Sequence, residues 1–201
     1  MVYSRDPVVV RSLFEESTHK RILSFLDEVV PFMRMDADVD LPDGPSRFGR
    51  RYAHNVPFFV DIHRQMNEYA SDLFGRKLKP SYVFLSMYET GGQCSLHLDR
   101  PQCRYTIDYL ITQDGQDPWP IDVGPEMADE ELAAIEDRHP SGHEAEAIID
   151  SVRWTRALLK PNDAVCYSGT HSWHYRPTRS VGRVSLAFFH FVPEGFDGTL
   201  N

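Results

Sequence analysis

The chain has 201 residues, 41% of them hydrophobic and 25% charged, ordinary proportions for one water-soluble globular domain and unlike those of a disordered or fibrous chain. The 30 acids against 21 bases leave a formal charge of −9, so nothing suggests the basic stripe that neutralises a nucleic-acid backbone. No apolar run approaches the ~20 residues that span a bilayer, and the opening MVYSRDPVVVRSLF lacks a basic-then-apolar leader pattern, so no membrane partner and a cytoplasmic location are expected. Three cysteines at irregular spacing (Cys94, Cys103, Cys166) fit neither a disulfide framework nor a CxxC zinc site and read as small core residues.

The N-terminal third reads as helical. STHKRILSFLDEVVPFM carries Ile22, Leu23, Leu26, Val29 and Val30 at helical spacing, with Ser17 or Thr18 as N-cap. DLPDGPSRFGRR is turn-rich and reads as a loop. NVPFFVDIHRQMNEYASDLFG predicts a second helix from Asn55 and Pro57, with Phe59, Ile62, Met66, Tyr69 and Leu73 on one face and Gly75 as its stop.

From residue 80 the pattern turns to short β-branched and aromatic runs: YVFLSMY, SLHLD, RYTIDYLIT, SVRWTRALL, DAVCYSG and RVSLAFFHFV. Helices followed by many short strands predict a mainly β chain, a jelly roll buttressed on one sheet by N-terminal helices. One domain over 1–201 is expected, with 1–79 as helical support, 80–193 as the jelly-roll core and an acidic insertion at about 113–147. GPEMADEELAAIEDRHPSGHEAEA, within that insertion, is locally helical and reads either as a solvated excursion or as a lid over a cleft; its histidines, His139 and His143, are expected in solvent.

SLHLD poses the functional question. Residues two apart on a strand share a face, so His97 and Asp99 project together. An ionised aspartate beside a histidine in a half-buried strand is costly unless compensated, and a divalent metal compensates both. Two histidines and a carboxylate around an open hemisphere form the facial triad of non-haem Fe(II) oxygenases. A third donor must come from a distant strand, and YSGTHSWHYRPTRSVGRVSLAFF offers His171 and His174.

SMYETGGQCSLHLDRPQCRYTIDYL, followed about seventy residues later by KPNDAVCYSGTHSWHYRP and GRVSLAFF, resembles the Fe(II)/2-oxoglutarate-dependent oxygenases of the prolyl-hydroxylase-like type. The resemblance covers roughly residues 80–193 and lies in an ordered set: Y-x-x-G, H-x-D, a distal His after a strand and turn, and a basic residue about ten positions on. It implies a double-stranded β-helix of the cupin-like kind and makes His97, Asp99 and His174 the iron ligands. His174 is preferred to His171 because it stands nine residues before Arg183, against twelve. The same resemblance gives Arg183 and Ser185 to the far carboxylate of 2-oxoglutarate, a role that a planar guanidinium fork and a hydroxyl two residues away suit on chemical grounds. Tyr88, nine residues before His97, is given a hydrogen bond to the cosubstrate, with a core aromatic as the alternative. His190 has parity opposite to Arg183 and Ser185 and is expected to point away from the pocket. Arg100, Gln102 and Arg176 flank the ligand candidates and read as contacts for substrate, a neighbouring carboxylate or water.

The resemblance implies Fe(II), 2-oxoglutarate and O2 as cofactor and cosubstrates, and hydroxylation of an unactivated C–H of an amino acid-like small molecule or a peptidyl side chain, with succinate and CO2 as coproducts. The branch that repairs alkylated nucleic acids carries a second arginine six residues after the first; here that position is Phe189. The acidic insertion points to a cationic substrate. The alternatives are a non-catalytic jelly-roll module that binds metal or senses, and a cupin-type dioxygenase, which Asp99 disfavours.

Overall fold

The computed structural model describes residues 5–35, 48–115, 117–179 and 182–200. A short strand β1 (Val8–Val10) precedes helix α1 (Glu16–Val29), β2 (Arg34–Met35), β3 (Arg50–His54) and helices α2 (Pro57–Gln65) and α3 (Asn67–Phe74). Strands β4 (Leu78–Tyr88), β5 (Cys94–His97), β6 (Tyr105–Gln113) and β7 (Ile121–Val123) lead to helices α4 (Asp129–Ala133) and α5 (Gly142–Ser151). Strands β8 (Thr155–Ala157), β9 (Ala164–Tyr167), β10 (His174–Arg176) and β11 (Val184–Pro193) complete the chain.

The strands form two antiparallel sheets, a seven-stranded one in the order β1-β9-β6-β11-β4-β3-β2 and a four-stranded one in the order β5-β10-β7-β8. This is the expected jelly roll. The helices close one face of the large sheet: Ile22, Leu26, Phe59, Ala70 and Leu73 pack on Ile107, Tyr109, Phe189 and Phe191. A second core fills the space between the sheets, with Leu110, Ile121, Val165, Val184 and Leu186 facing inward.

The N-terminal third differs from its sequence pattern in three ways. Helix α1 begins two residues earlier than its Ser17 or Thr18 caps, after Glu15, and no side chain caps it. The expected second helix is broken at Met66, whose ψ of −4° ends α2 before α3 begins; Gly75, at φ 65°, supplies the left-handed stop. The buried positions Phe59, His63, Met66, Ala70 and Leu73 keep one continuous helical face across the break, and on that face Ala70 rather than Tyr69 meets the core; Tyr69 is 41% exposed. Residues 40–47 of the turn-rich segment lie outside the described residues, and its last two, Arg50 and Arg51, begin β3. The acidic insertion is a packed layer, since Leu132, Ile135, Ile148 and Ile149 cover Leu96, Leu98 and Trp173 on the outer face of the small sheet. Among the described residues no helix is long and apolar enough to cross a membrane.

His63 on α2 is buried at 2% exposure, with its ring 4.6 Å from Phe191 and 5.7 Å from Phe189. Its Nε2 has no partner, and burial lowers its pKa to about 3. An unfolded histidine titrates near ~6.5, so the unfolded chain takes up this proton first. The neutral ring's contribution is therefore fully present above about pH 6.5 and is lost as pH falls toward 3. Between pH 8 and 5 the His63→Phe variant should lose about 2 kcal/mol less stability than wild type. Parallel stability curves from chemical denaturation at the two pH values would contradict this.

Candidate metal and ligand site

The small sheet brings the distant histidines together. His174 on β10 is the register partner of His97 on β5, and their ring centroids stand 4.2 Å apart. Asp99 lies just past the end of β5, where its N–H donates to the Gly169 carbonyl (2.9 Å). A Cβ on Gly169 would collide with the Asp99 carboxylate and the Cys103 carbonyl, so only glycine lets this turn approach.

His97 Nε2 is 3.4 Å and His174 Nε2 3.8 Å from Asp99 Oδ1. Each Nδ1 meets a backbone carbonyl, Ser95 O at 2.8 Å for His97 and Ser172 O at 2.9 Å for His174. A carbonyl can only accept, so each Nδ1 carries a hydrogen, and a neutral ring then offers its Nε2 lone pair to the centre. Donors held at right angles about 2.1 Å from a first-row metal stand about 3 Å apart. The two imidazole nitrogens, 3.4 and 3.8 Å from Asp99 Oδ1, come near that spacing, and all three donors lie within 4.8 Å of one another.

Electrostatics point the same way. Burial would raise the Asp99 carboxyl, but His174 and His97 outweigh it and hold the group well below its ordinary range. Burial and then the neighbouring His97 lower His174 to about 4, leaving it neutral. For His97, burial is outweighed by Cys94 and Asp99, and the ring holds its proton well above the ordinary value. A metal ion would take that proton's place. A second donor group, Asp99 with Cys103 and His190, is less suited. Burial pushes the Cys103 thiol well up, its sulfur contacts the Tyr82 hydroxyl (2.8 Å), and His190 is tied to Thr106 (3.0 Å).

The donors line a cavity of about 390 Å³, within the usual range for small-molecule sites. Tyr88 lines it too, its hydroxyl accepting from Arg50 Nη1 (2.9 Å). Arg183 and Ser185 do not. Strand β11 turns Val184, Leu186 and Phe188 inward, so the odd positions face away from the cavity. Arg183 is exposed, with its backbone N–H on Asp114 Oδ2 (3.0 Å), and Ser185 is buried outside the cavity with no partner for its hydroxyl. The expected carboxylate fork is thus not formed there. His190, expected to point away, lines the cavity for the same reason.

Arg176 stands on the inward face instead, two residues beyond His174 on the same strand. Its Nη2 donates to Asp108 Oδ2 (2.7 Å) and its Nη1 to the Trp119 carbonyl (3.2 Å). Burial works against the charge on Arg176, and Asp108 more than offsets it. Burial, outweighing Arg176, also pushes Asp108 above its ordinary value, and its Oδ1 has no partner among the described residues. His171 is engaged elsewhere, through Thr170 Oγ1 (2.6 Å) and Asp129 Oδ1 (2.9 Å). The insertion reaches the mouth: Arg138 donates to the Asp99 carbonyl (3.1 Å), and His139 stacks on His97 at 5.7 Å, solvent-exposed yet lining the cavity. His143 is exposed as expected.

No protein-family model and no curated protein sequence matches the chain. Solved structures do. The α-ketoglutarate-dependent carbocyclase SnoK from nogalamycin biosynthesis superposes with a TM-score of 0.70 at 11% identity, over 93% of this chain and 79% of that one. EctD from S. alaskensis, with 2-oxoglutarate and 5-hydroxyectoine, gives 0.67 at 12% identity, over 94% and 73%. A Pseudomonas putida prolyl-4-hydroxylase gives 0.63 at 10% identity, over 92% and 91%. The fold is therefore that of the Fe(II)/2-oxoglutarate-dependent oxygenases, in line with the resemblance carried by the residues.

Proposed function

We propose that this chain is an Fe(II)- and 2-oxoglutarate-dependent oxygenase that hydroxylates an unactivated C–H of a small molecule or a peptidyl side chain. The observation that carries the reading is the convergence of His97 and His174 Nε2 on the Asp99 carboxylate, each ring fixed by its own backbone carbonyl. His97, Asp99 and His174 would hold the iron. Bound there, Fe(II) with 2-oxoglutarate and O2 supplies the oxidising power, and the cosubstrate leaves as succinate and CO2.

The protein's own part is positioning. The carbonyls of Ser95 and Ser172 keep both imidazoles in the ligating tautomer. Arg176 takes over the role expected of Arg183: it is a buried cation beside the donors and would receive the far carboxylate of 2-oxoglutarate, with the Tyr88 hydroxyl close by. Asp108 holds that guanidinium in place. An arginine built into the cavity has no purpose in a bare metal-binding module, which favours the catalyst over the sensing reading. The neighbours differ in outcome, one being titled a carbocyclase and another a prolyl-4-hydroxylase. A complete two-histidine, one-carboxylate set leaves no ligand position for halide and so argues against halogenation; of the outcomes that remain, hydroxylation is the one proposed.

The test is succinate formation from 2-oxoglutarate by the iron-loaded protein in air. Iron- and O2-dependent succinate, accelerated by a substrate that gains one oxygen atom, is the expected result. No succinate with or without any candidate substrate would contradict the proposal.

A further inference from the structure

The cavity wall opposite the metal donors is aromatic. Alternate residues on three neighbouring strands, Tyr52 and His54 on β3, Tyr82 and Phe84 on β4, and Phe188 and His190 on β11, all line it. Their rings are in contact as one surface: Tyr52 stacks on Phe84 at 5.6 Å, Phe84 lies 4.7 Å from His54 and 6.0 Å from Phe188, and Tyr82 lies 4.6 Å from His190. Tyr52, Phe84 and Phe188 are only half-buried, so the wall keeps apolar face for a ligand.

Among the described residues an arginine without a carboxylate partner stands at the mouth. Arg100 directly follows Asp99, with its Nε on the Tyr82 hydroxyl (3.1 Å) and its guanidinium 4.5 Å from the Tyr82 ring centre. Among the described residues it forms no ion pair. Among the described residues the carboxylates lining the cavity are Asp99, assigned to the metal, and Asp108, held by Arg176. Among the described residues the acidic insertion lines the cavity through Ile121 and His139 and adds no carboxylate; the backbone N–H of His139 donates to Asp137 Oδ1 (2.7 Å). A cationic substrate would meet guanidiniums already seated over Phe84 (Arg50, 4.8 Å) and Tyr82.

We infer that the substrate is an anionic small molecule with a planar ring, its ring laid on the Tyr52, Phe84 and Phe188 wall and its carboxylate received by Arg100. This deepens the oxygenase reading, rests on it, and replaces the cationic substrate that the acidic insertion suggests. A planar acid matches a stacking wall and a guanidinium fork at once.

The test is anaerobic calorimetry of the protein loaded with Fe(II) and 2-oxoglutarate against benzoate, phenylacetate and 3-phenylpropanoate, each with its amide and amine counterpart. At least one acid should bind about 10-fold or more tighter than its amide, the difference expected for a charge-assisted pair, and the amine weakest of the three. Arg100→Gln should erase the acid-over-amide preference, and Phe84→Ala should weaken acid and amide alike. Equal affinity for acid and amide, preference for the amine, an Arg100→Gln variant that keeps the preference, or no binding of any acid overturns the inference. The oxygenase reading fails separately, in the loading step: a wild type that takes up no Fe(II) or 2-oxoglutarate refutes it before any acid is added.

Discussion

A His174→Ala variant is expected to lose at least ~100-fold in Fe(II) affinity and all 2-oxoglutarate consumption, while His171→Ala keeps both within about twofold. The two histidines lie three residues apart, yet the fold separates their roles. His174 is on β10, in register with His97, and its Nε2 is 3.8 Å from Asp99. His171 sits in the preceding turn with both ring nitrogens engaged by Thr170 and Asp129. Fe(II) affinity is read by calorimetry under nitrogen, with a melting curve to establish that each variant is folded. A folded His174→Ala protein that binds iron like wild type would contradict the assignment.

The second large effect concerns Arg176. Replacing it with methionine strands the Asp108 carboxylate, 0% exposed, without its partner, and removing one member of such a pair costs about 3–5 kcal/mol. The double variant Arg176→Met/Asp108→Leu removes the stranded charge and should recover most of that stability. Both variants should bind 2-oxoglutarate about 10- to 100-fold more weakly in the presence of Fe(II), as expected on losing charge-assisted hydrogen bonds. Arg183→Leu should change 2-oxoglutarate affinity by less than about twofold, because that side chain is exposed and outside the cavity. Calorimetric titration with 2-oxoglutarate separates the cases. Weakened binding in Arg183→Leu with unchanged binding in the double variant would restore the sequence-based expectation.

The convergence of His97, Asp99 and His174 was legible because its signals are short-range. H-x-D places two donors together by geometry alone, and a histidine after a strand-and-turn pattern supplies the third. Strand β11 was not legible in the same way. VSLAFFHFV is apolar at both parities, since one face packs on the helices through Ala187, Phe189 and Phe191 and the other on the inner core through Leu186 and Phe188. Period-two reading therefore could not tell which face meets the cavity, and Arg183 and Ser185 are not among the residues that line it. Arg176 shares a strand face with His174 two residues away and lines the cavity. Its partner Asp108, inside RYTIDYLIT, was the buried carboxylate that required an explanation.

The short pieces β1, β2, β3, β7 and β10 escaped for a different reason. They run two to five residues, and their register comes from partners far along the chain, as Val8 with Cys166 and Arg50 with Tyr88. A third of the aromatic wall comes from β3, through the alternation of Tyr52 with His54, which a reading of that segment's start as loop concealed. The insertion read as acidic because its charges face water, while its Met127, Leu132, Ile135 and Ala145, with Ile148 and Ile149 just after it, cover the small sheet.

The most direct measurement is anaerobic titration of Fe(II) into the protein with saturating 2-oxoglutarate, followed by visible absorption. A weak charge-transfer band that saturates at one iron per chain and is abolished in His97→Ala and His174→Ala is the expected result. No band in wild type, or an undiminished band in either variant, would show that these two imidazoles and Asp99 do not hold the metal.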